Sequence, residues 1–82
     1  MGTRADFYIG KGIDSKWLGS IAWDGFPENI DNNILTSDKE DVFCQRVETF
    51  LMNREDASKP EDGWPWPWSD SNTTDYTYTF GQ

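Results

Sequence analysis

The sequence predicts an α+β fold, a small antiparallel sheet of three or four strands with one helix packed on one face, in the order β-β-α-β. Three segments alternate apolar and polar residues with a period of two, as strands do, and one segment repeats apolar residues at helical spacing. The chain has 82 residues, enough for a single domain with one core. Hydrophobic residues make up only 35% of it but aromatic residues make up 16%, so we expect large rings to supply much of that core.

The first two strands are expected at residues 4–10 and 17–24, as an antiparallel pair joined by a glycine-rich connection. The side chains expected to face the core from the first strand are Ala5, Phe7 and Ile9. Those expected to share one face of the second strand are Trp17, Ile21 and Trp23. Because Leu18 and Ala22 make its other face apolar as well, we expect this strand to be covered at least partly on both sides.

The helix is expected from about residue 38 to residue 53. Ser37 and Glu40 have the spacing of a capping box, in which each side chain satisfies a backbone N–H at the helix start. Acidic residues fill the first turn, where they favour the positive end of the helix dipole. The apolar stripe at helical spacing consists of Phe43, Val47, Phe50 and Leu51.

The rest of the chain is predicted to be a turn-rich segment at residues 25–36, an extended Trp/Pro-rich connection at about 55–73, and a last strand. The residues of the turn-rich segment expected to lie under a loop or short helical turn are Ile30, Ile34 and Leu35. The aromatic residues on one face of the last strand are Tyr76, Tyr78 and Phe80. The predicted core consists of several tryptophans together with Phe7, Ile9, Ile21, Phe43, Val47, Phe50, Leu51 and Tyr78.

The charge of the chain is strongly acidic, with 15 Asp and Glu against 7 Lys and Arg and a net charge of −8. The electrostatic field of so acidic a protein repels phosphates and anionic lipids, so direct binding to nucleic acid or to a membrane is not expected. A basic protein partner, or a protein site that normally receives nucleic acid, is compatible with it. The alternative is that the negative charge only keeps a small protein soluble.

Residue types exclude several kinds of chemistry. The chain has no histidine and one cysteine, so it has no imidazole base, no internal disulfide and no histidine or thiolate zinc site, and Cys44 is expected to be buried and inert. We expect no enzyme activity, no metal and no cofactor. No apolar run approaches the ~20 residues of a membrane span, and the first residues lack a signal-peptide core. A cytoplasmic location is the expectation.

The segment GWPWPW, residues 63–68, is the most unusual feature. Each proline fixes its own backbone and restricts the residue before it, so the segment should be stiff, with tryptophan rings that point in different directions. We expect one or two rings to close the core and another to stay partly exposed beside acidic residues, as an anchor for a protein partner. The expected binding surface consists of Trp64, Trp66, Trp68, Glu61, Asp62 and Asp70. The oligomeric state is left open.

A second hypothesis is a small carbohydrate-binding module or a carboxylate-based hydrolase. The carboxylates that flank the aromatic segments are Asp24, Asp62, Asp70 and Asp75. Two of them could meet across a cleft at the separation that glycosidases use, although so short a chain leaves little room for a deep cleft.

Four stretches of the chain, TRADFYIG, WLGSIAWDG, EDGWPWPW and TTDYTYTF, resemble a group of small uncharacterised proteins from phages and prophage regions of Gram-negative bacteria. The resemblance covers both ends of the chain and is weak between about residues 28 and 59. It implies a mobile genetic element as the setting, where small acidic proteins often bind host proteins. The function expected from it is inhibition of a host nucleic-acid-directed defence system, by an anti-CRISPR-like protein or a DNA mimic, with a host or phage protein as the partner.

Overall fold

The computed structural model describes residues 3–10, 15–68 and 74–80 of the chain. The fold is α+β, as predicted. Its elements in chain order are strand β1 (Ala5–Ile9), strand β2 (Lys16–Ile21), helix α1 (Asn32–Leu35), helix α2 (Glu40–Met52), strand β3 (Ala57–Ser58) and strand β4 (Tyr76–Phe80), with 3₁₀ turns at Pro27–Asn29 and Pro60–Asp62. The predicted β-β-α-β order is confirmed, and β3 is the additional fourth strand.

The sheet is mixed, with the strand order β3-β2-β1-β4. The pairs β1–β2 and β2–β3 are antiparallel, whereas β4 runs parallel to β1 from the pair Ala5 and Tyr76 to the pair Ile9 and Phe80. The prediction of a purely antiparallel sheet is therefore wrong. The physical reason is that a long connection lies between β3 and β4, and it returns the chain to the end at which β1 begins, as parallel pairing requires.

Helix α2 covers one face of the sheet with the predicted apolar stripe. The ring of Phe7 in β1 meets Phe50 edge-on at a centroid distance of 6.0 Å and stacks on Tyr78 at 5.4 Å. The buried core consists of Ala5, Phe7, Ile21, Ile30, Ile34, Phe43, Val47, Phe50 and Leu51, with Ile9 and Tyr78 packed against it partly buried. None of the tryptophans, all of which are described, belongs to this core, contrary to prediction. Ile30 and Ile34 are buried as expected, but Leu35 is exposed.

The start of α2 differs from the predicted capping box. The N-cap is Lys39, whose side chain makes no capping hydrogen bond. The hydroxyl of Ser37 instead donates a hydrogen bond to the carbonyl of Asn33 at 2.9 Å. The capping box is absent because the short helix α1 ends just before Ser37 and uses its hydroxyl there.

A β-bulge in β2 changes which residues share a face. Phe7 pairs with Gly19 and Tyr8 pairs with Trp17, so Leu18 is an extra residue in β2 and the alternation shifts by one. Trp17 therefore faces away from the core residue Ile21. The prediction that Trp17, Ile21 and Trp23 share one face is wrong for this reason, and Trp23 lies beyond the end of the strand.

Candidate functional site

Residues 63–68, here called the tryptophan strap, cover the face of the sheet opposite to α2. Asp6 points to this face, since its neighbour Phe7 points into the core, and its side chain is 0% exposed. The indole Nε1 of Trp66 donates a hydrogen bond to Asp6 Oδ1 at 2.7 Å, and the hydroxyl of Ser20 donates to the same oxygen at 2.5 Å. A buried carboxylate is tolerated where such donors replace water. The strap and strand β1 are thus joined through one carboxylate.

The other strap rings are also held by hydrogen bonds. Trp64 Nε1 donates to the carbonyl of Trp68 at 2.6 Å, and Trp68 Nε1 donates to the hydroxyl of Thr74 at 2.9 Å. The ring of Trp64 meets Trp17 edge-on at 5.2 Å. Trp17 Nε1 in turn donates to the Ser20 hydroxyl at 3.0 Å. The bulge in β2, which turns Trp17 to this face, therefore supplies part of the surface against which the strap packs.

Arg4 lies against the remaining two rings. Trp66 and Trp68 stack with their centroids 5.6 Å apart, and the guanidinium carbon of Arg4 is 5.5 Å from each centroid. A cation at this distance is attracted by the electron-rich ring faces. The main chain of Arg4 is also fixed, because its N–H donates to the carboxylate of Asp75 at 2.9 Å.

The predicted binding surface is in part a structural element. All three strap tryptophans are half-buried, and each N–H has a partner, so no one of the rings stands out as the exposed anchor. Glu61 and Asp62 are exposed on the 3₁₀ turn before the strap. Lys59 holds both, with its ammonium 3.6 Å from Glu61 and its backbone N–H donating to Asp62 at 3.1 Å. Asp70 lies outside the described residues.

The loop at residues 23–26, here called the WDGF loop, carries two exposed aromatic side chains. Trp23 is 48% exposed and Phe26 is 40% exposed. Sequence reasoning missed this site because it assigned Trp23 to the core face of a strand. A usable signal was present, since Trp23 is followed directly by the turn residues Asp24, Gly25 and Pro27.

One side of the WDGF loop is fixed by an ion pair. Asp56 Oδ2 accepts hydrogen bonds from the backbone N–H groups of Ala22 and Trp23, both at 3.0 Å, and Arg54 donates to the carbonyl of Trp23 at 2.8 Å. Arg54 and Asp56 form an ion pair, with 2.7 Å between Arg54 Nε and Asp56 Oδ1. Burial acts to raise the pKa of Asp56, but the hydrogen bond from Arg54 and those from the backbone outweigh it and hold that pKa below its usual value. Asp56 is therefore charged at neutral pH.

The other side of the WDGF loop is fixed by β1 and β4. Gly25 donates to the carbonyl of Thr3 at 2.9 Å and accepts from the hydroxyl of Tyr78 at 2.5 Å. Phe26 meets the ring of Tyr76 edge-on at 5.8 Å. A side chain at Gly25 has no room, because a Cβ there would lie 2.7 Å from the Thr3 carbonyl oxygen. The loop thus presents Trp23 and Phe26 from a backbone that is bonded on both sides.

An open groove of about 730 Å³ runs between α2 and the start of β2. Apolar side chains of β2 and α2, namely Trp17, Leu18, Leu51 and Met52, contribute to its lining. Its carboxylates are Glu40, Asp41, Glu48 and Glu61. Only Glu61 among these four forms an ion pair with any residue that the structure describes. Two lysines, Lys16 and Lys59, also line it. The groove therefore combines apolar surface with an excess of negative charge.

Cys44 also lines this groove and is half-buried, so it is more accessible than predicted. Burial raises the pKa of its thiol, and the carboxylates of Glu40 and Asp41 raise it further. A thiol with a raised pKa carries little thiolate at neutral pH and is a weak nucleophile.

Within residues 3–10, 15–68 and 74–80, no three metal-ligating side chains come together as a metal site. No helix in these ranges is long and apolar enough to cross a bilayer. Comparisons with protein-family models, with curated proteins and with solved structures found no match to the chain.

Proposed function

We propose that the protein is a non-enzymatic protein-binding factor and that the WDGF loop is its anchor. The observation that carries this proposal is the exposed indole of Trp23 on a backbone held by Asp56, Arg54 and β4. Large aromatic side chains dominate the energetics of protein interfaces. A loop that is already fixed loses little conformational entropy on binding, so more of the contact energy appears as affinity.

The partner that we propose is a host or phage protein with a basic surface. The net charge of −8 and the excess of carboxylates over lysines in the groove favour a positively charged partner and disfavour nucleic acid and anionic membranes. Together with the phage-like sequence pattern, this charge supports a role against a host nucleic-acid-directed defence system. In that role the acidic surface occupies a site that otherwise receives nucleic acid.

A quantitative pull-down from host lysate tests the proposal. Tagged wild-type protein is compared with Trp23→Ala and with Thr49→Ala, which shortens an exposed side chain of α2 outside the groove. We expect recovery of the partner to fall about tenfold or more with Trp23→Ala, as for a hot-spot residue, and to be unchanged with Thr49→Ala. Equal recovery by wild type and Trp23→Ala, with both variants folded by circular dichroism, would rule the anchor out.

The salt dependence of the same interaction separates mimicry of nucleic acid from aromatic anchoring. If the acidic surface dominates, the affinity should fall steeply between low and physiological ionic strength, because exposed charges are screened. If Trp23 dominates, the affinity should change little with salt. In either case we expect the partner to bind nucleic acid less well when this protein is present, because the two are proposed to occupy one site. Unchanged binding of nucleic acid would contradict that role.

The competing function, carbohydrate binding or hydrolysis by the tryptophans and aspartates, is tested with a glycan array. Sugar-binding sites use open aromatic ring faces, whereas Trp66 and Trp68 stack on each other and contact Arg4. We therefore expect no glycan to quench the tryptophan fluorescence. A reproducible glycan signal, or cleavage of a glycan, would favour this function over protein binding.

A further inference from the structure

The two edges of the sheet are protected to different extents. Strand β3 is two residues long and is followed directly by Lys59 and Pro60, which discourage further pairing. Strand β4, at the opposite edge, has five residues in the sequence YTYTF, with no charged residue and no proline. Natural sheets usually block a long edge strand with charge, proline or a bulge, since its free backbone groups invite another strand. Strand β4 lacks these features.

The hydrogen bonds to β1 show which groups of β4 point outward. Tyr76 donates from its backbone to the carbonyl of Arg4 at 3.1 Å, and the carbonyl of Phe80 accepts from Gly10 at 2.9 Å. In a parallel pair with this register, the backbone groups of alternate residues point to β1, here those of Tyr76, Tyr78 and Phe80. The N–H and C=O groups of Thr77 and Thr79 consequently point away from the sheet, at the spacing of an unpaired strand edge.

A shallow groove of about 320 Å³ lies beside this edge. Its lining is mainly apolar on the helix side, where the exposed Leu35 contributes, and it includes both outward-facing threonines. The lining residues that matter here are Ile34, Leu35, Phe43, Thr77, Thr79 and Phe80. A strand that paired with β4 would place alternate side chains on the side of this groove, because side chains alternate along a strand.

We propose that β4 is a docking site for an extended segment of another protein, which adds to the sheet as a fifth strand. Main-chain hydrogen bonds to Thr77 and Thr79 would hold the segment, and an apolar side chain in the groove would give selectivity. The favoured segment also carries Lys or Arg. The exposed Asp75 directly precedes β4, and the whole chain has a net charge of −8. The same charge opposes pairing with a second copy of the chain.

This docking site uses the outward backbone groups of β4 and not the exposed ring of Trp23, so either proposal can fail alone. Hydrogen exchange of the free protein is the first test. We expect the amide hydrogens of Thr77 and Thr79 to exchange rapidly, while those of Tyr78 and Phe80 are protected. Protection of Thr77 and Thr79 in a dilute monomer would mean that another part of this chain covers the edge. Protection that appears only at high protein concentration would mean that a second copy covers it. Either result overturns the proposal.

Selection of ten-residue peptides from a random display library on the wild-type protein is the second test. Each selected peptide is then synthesised with N-methyl groups at its even positions or at its odd positions. We expect one of the two forms to bind about tenfold more weakly or worse, since it loses main-chain hydrogen bonds, while the other form is unaffected. Binding should also slow exchange at Thr77 and Thr79 and should survive Trp23→Ala. Equal tolerance of both methylation patterns, or recovery of no peptide, would overturn the proposal.

Discussion

The side chain of Asp6 joins two elements that are far apart in the sequence. It accepts hydrogen bonds from Trp66 and Ser20 in a site with no exposure to solvent. Replacing it with alanine leaves both donors without this acceptor, so we expect Asp6→Ala to lower the free energy of unfolding by about 2–4 kcal/mol. Urea denaturation measures the change. Asp31→Ala, at an exposed position whose side chain caps no helix, is the control and should cost less than about 0.5 kcal/mol.

The bond between Trp66 and Asp6 can be measured separately. Trp66→Phe keeps an aromatic ring in the tryptophan strap but removes the N–H donor. In a double-mutant cycle with Asp6→Ala, which removes the acceptor, we expect a coupling energy of about 1–2 kcal/mol, in the range for groups that share one hydrogen-bond network. A coupling energy near zero would show that the ring of Trp66 is held by packing and not by this hydrogen bond.

Tyr78 links stability to alkaline pH. Burial raises its pKa from 10.0 to about 12, and nearby Tyr76 and Glu28 add to the effect. Because the folded protein holds this proton more tightly than the unfolded chain does, the contribution to stability is complete below pH 10 and is lost between about pH 10 and 12. The free energy of unfolding, measured between pH 10 and 12, should show the loss. Tyr78→Phe should make this free energy depend less steeply on pH, even though it lowers stability at neutral pH.

At the scale of the elements, α2 approaches β2 closely because position 19 is glycine. A Cβ at Gly19 would lie 2.8 Å from the carbonyl oxygen of Ser58 and would press on Leu51, and the φ angle there is +151°. Gly63 also has a positive φ, of +87°, but a Cβ there would meet nothing within 4 Å. We expect Gly63→Ala to lower the free energy of unfolding by about 1 kcal/mol, because only the backbone conformation is strained. Gly19→Ala should lower it by about 2–4 kcal/mol, because the new methyl group is also crowded. Equal costs in thermal unfolding would contradict the crowding.

The sequence predicted the elements that bury apolar residues at a regular spacing. The stripe of α2 and the aromatic face of β4 were predicted correctly, since periodicity shows directly which side faces the core. The prediction failed at β2 because a bulge residue such as Leu18 cannot be recognised from the composition of the strand. Every residue of β2 before the bulge then lies on the opposite face from the one that strict alternation predicts. Whether β4 runs parallel or antiparallel to β1 depends on where the long connection before it ends. The alternation of residues within β4 does not show this.

The candidate site was predicted less well than the fold. The rings of the tryptophan strap were predicted to close the core, whereas they cover the opposite face of the sheet. The alternation in β1 gave no hint that Asp6 would be the strap's buried partner. Trp23 was misplaced because a tryptophan next to a strand fits the core pattern as well as the surface. Its exposure follows from contacts with Asp56 and Arg54, which come together only in the tertiary structure.

At the scale of the whole molecule, negative charge is concentrated in a small volume. The radius of gyration is 11.6 Å and the net charge is −8. Within the described residues, just two ion pairs offset this charge. We expect the free energy of unfolding to rise when salt increases from about 0.01 M to 0.15 M, because the screening length falls from about 30 Å to 8 Å. The free energy of unfolding of the double variant Asp41→Asn, Glu48→Gln should rise less with salt, because this variant carries less negative charge. A fall in stability with added salt would contradict net repulsion.

The central position of β1 has a consequence for how the chain folds on the ribosome. Strand β1 is made before the other described strands. Its neighbour β4 and its cover Trp66 lie about 60 to 70 residues later, as the separations of 60 from Asp6 to Trp66 and 71 from Arg4 to Asp75 show. Contacts so distant must wait for loop closure and slow the folding step. The nascent chain therefore exposes one edge and one face of β1 until Trp66 and β4 have left the ribosome, which makes this interval the period when a chaperone has most to bind.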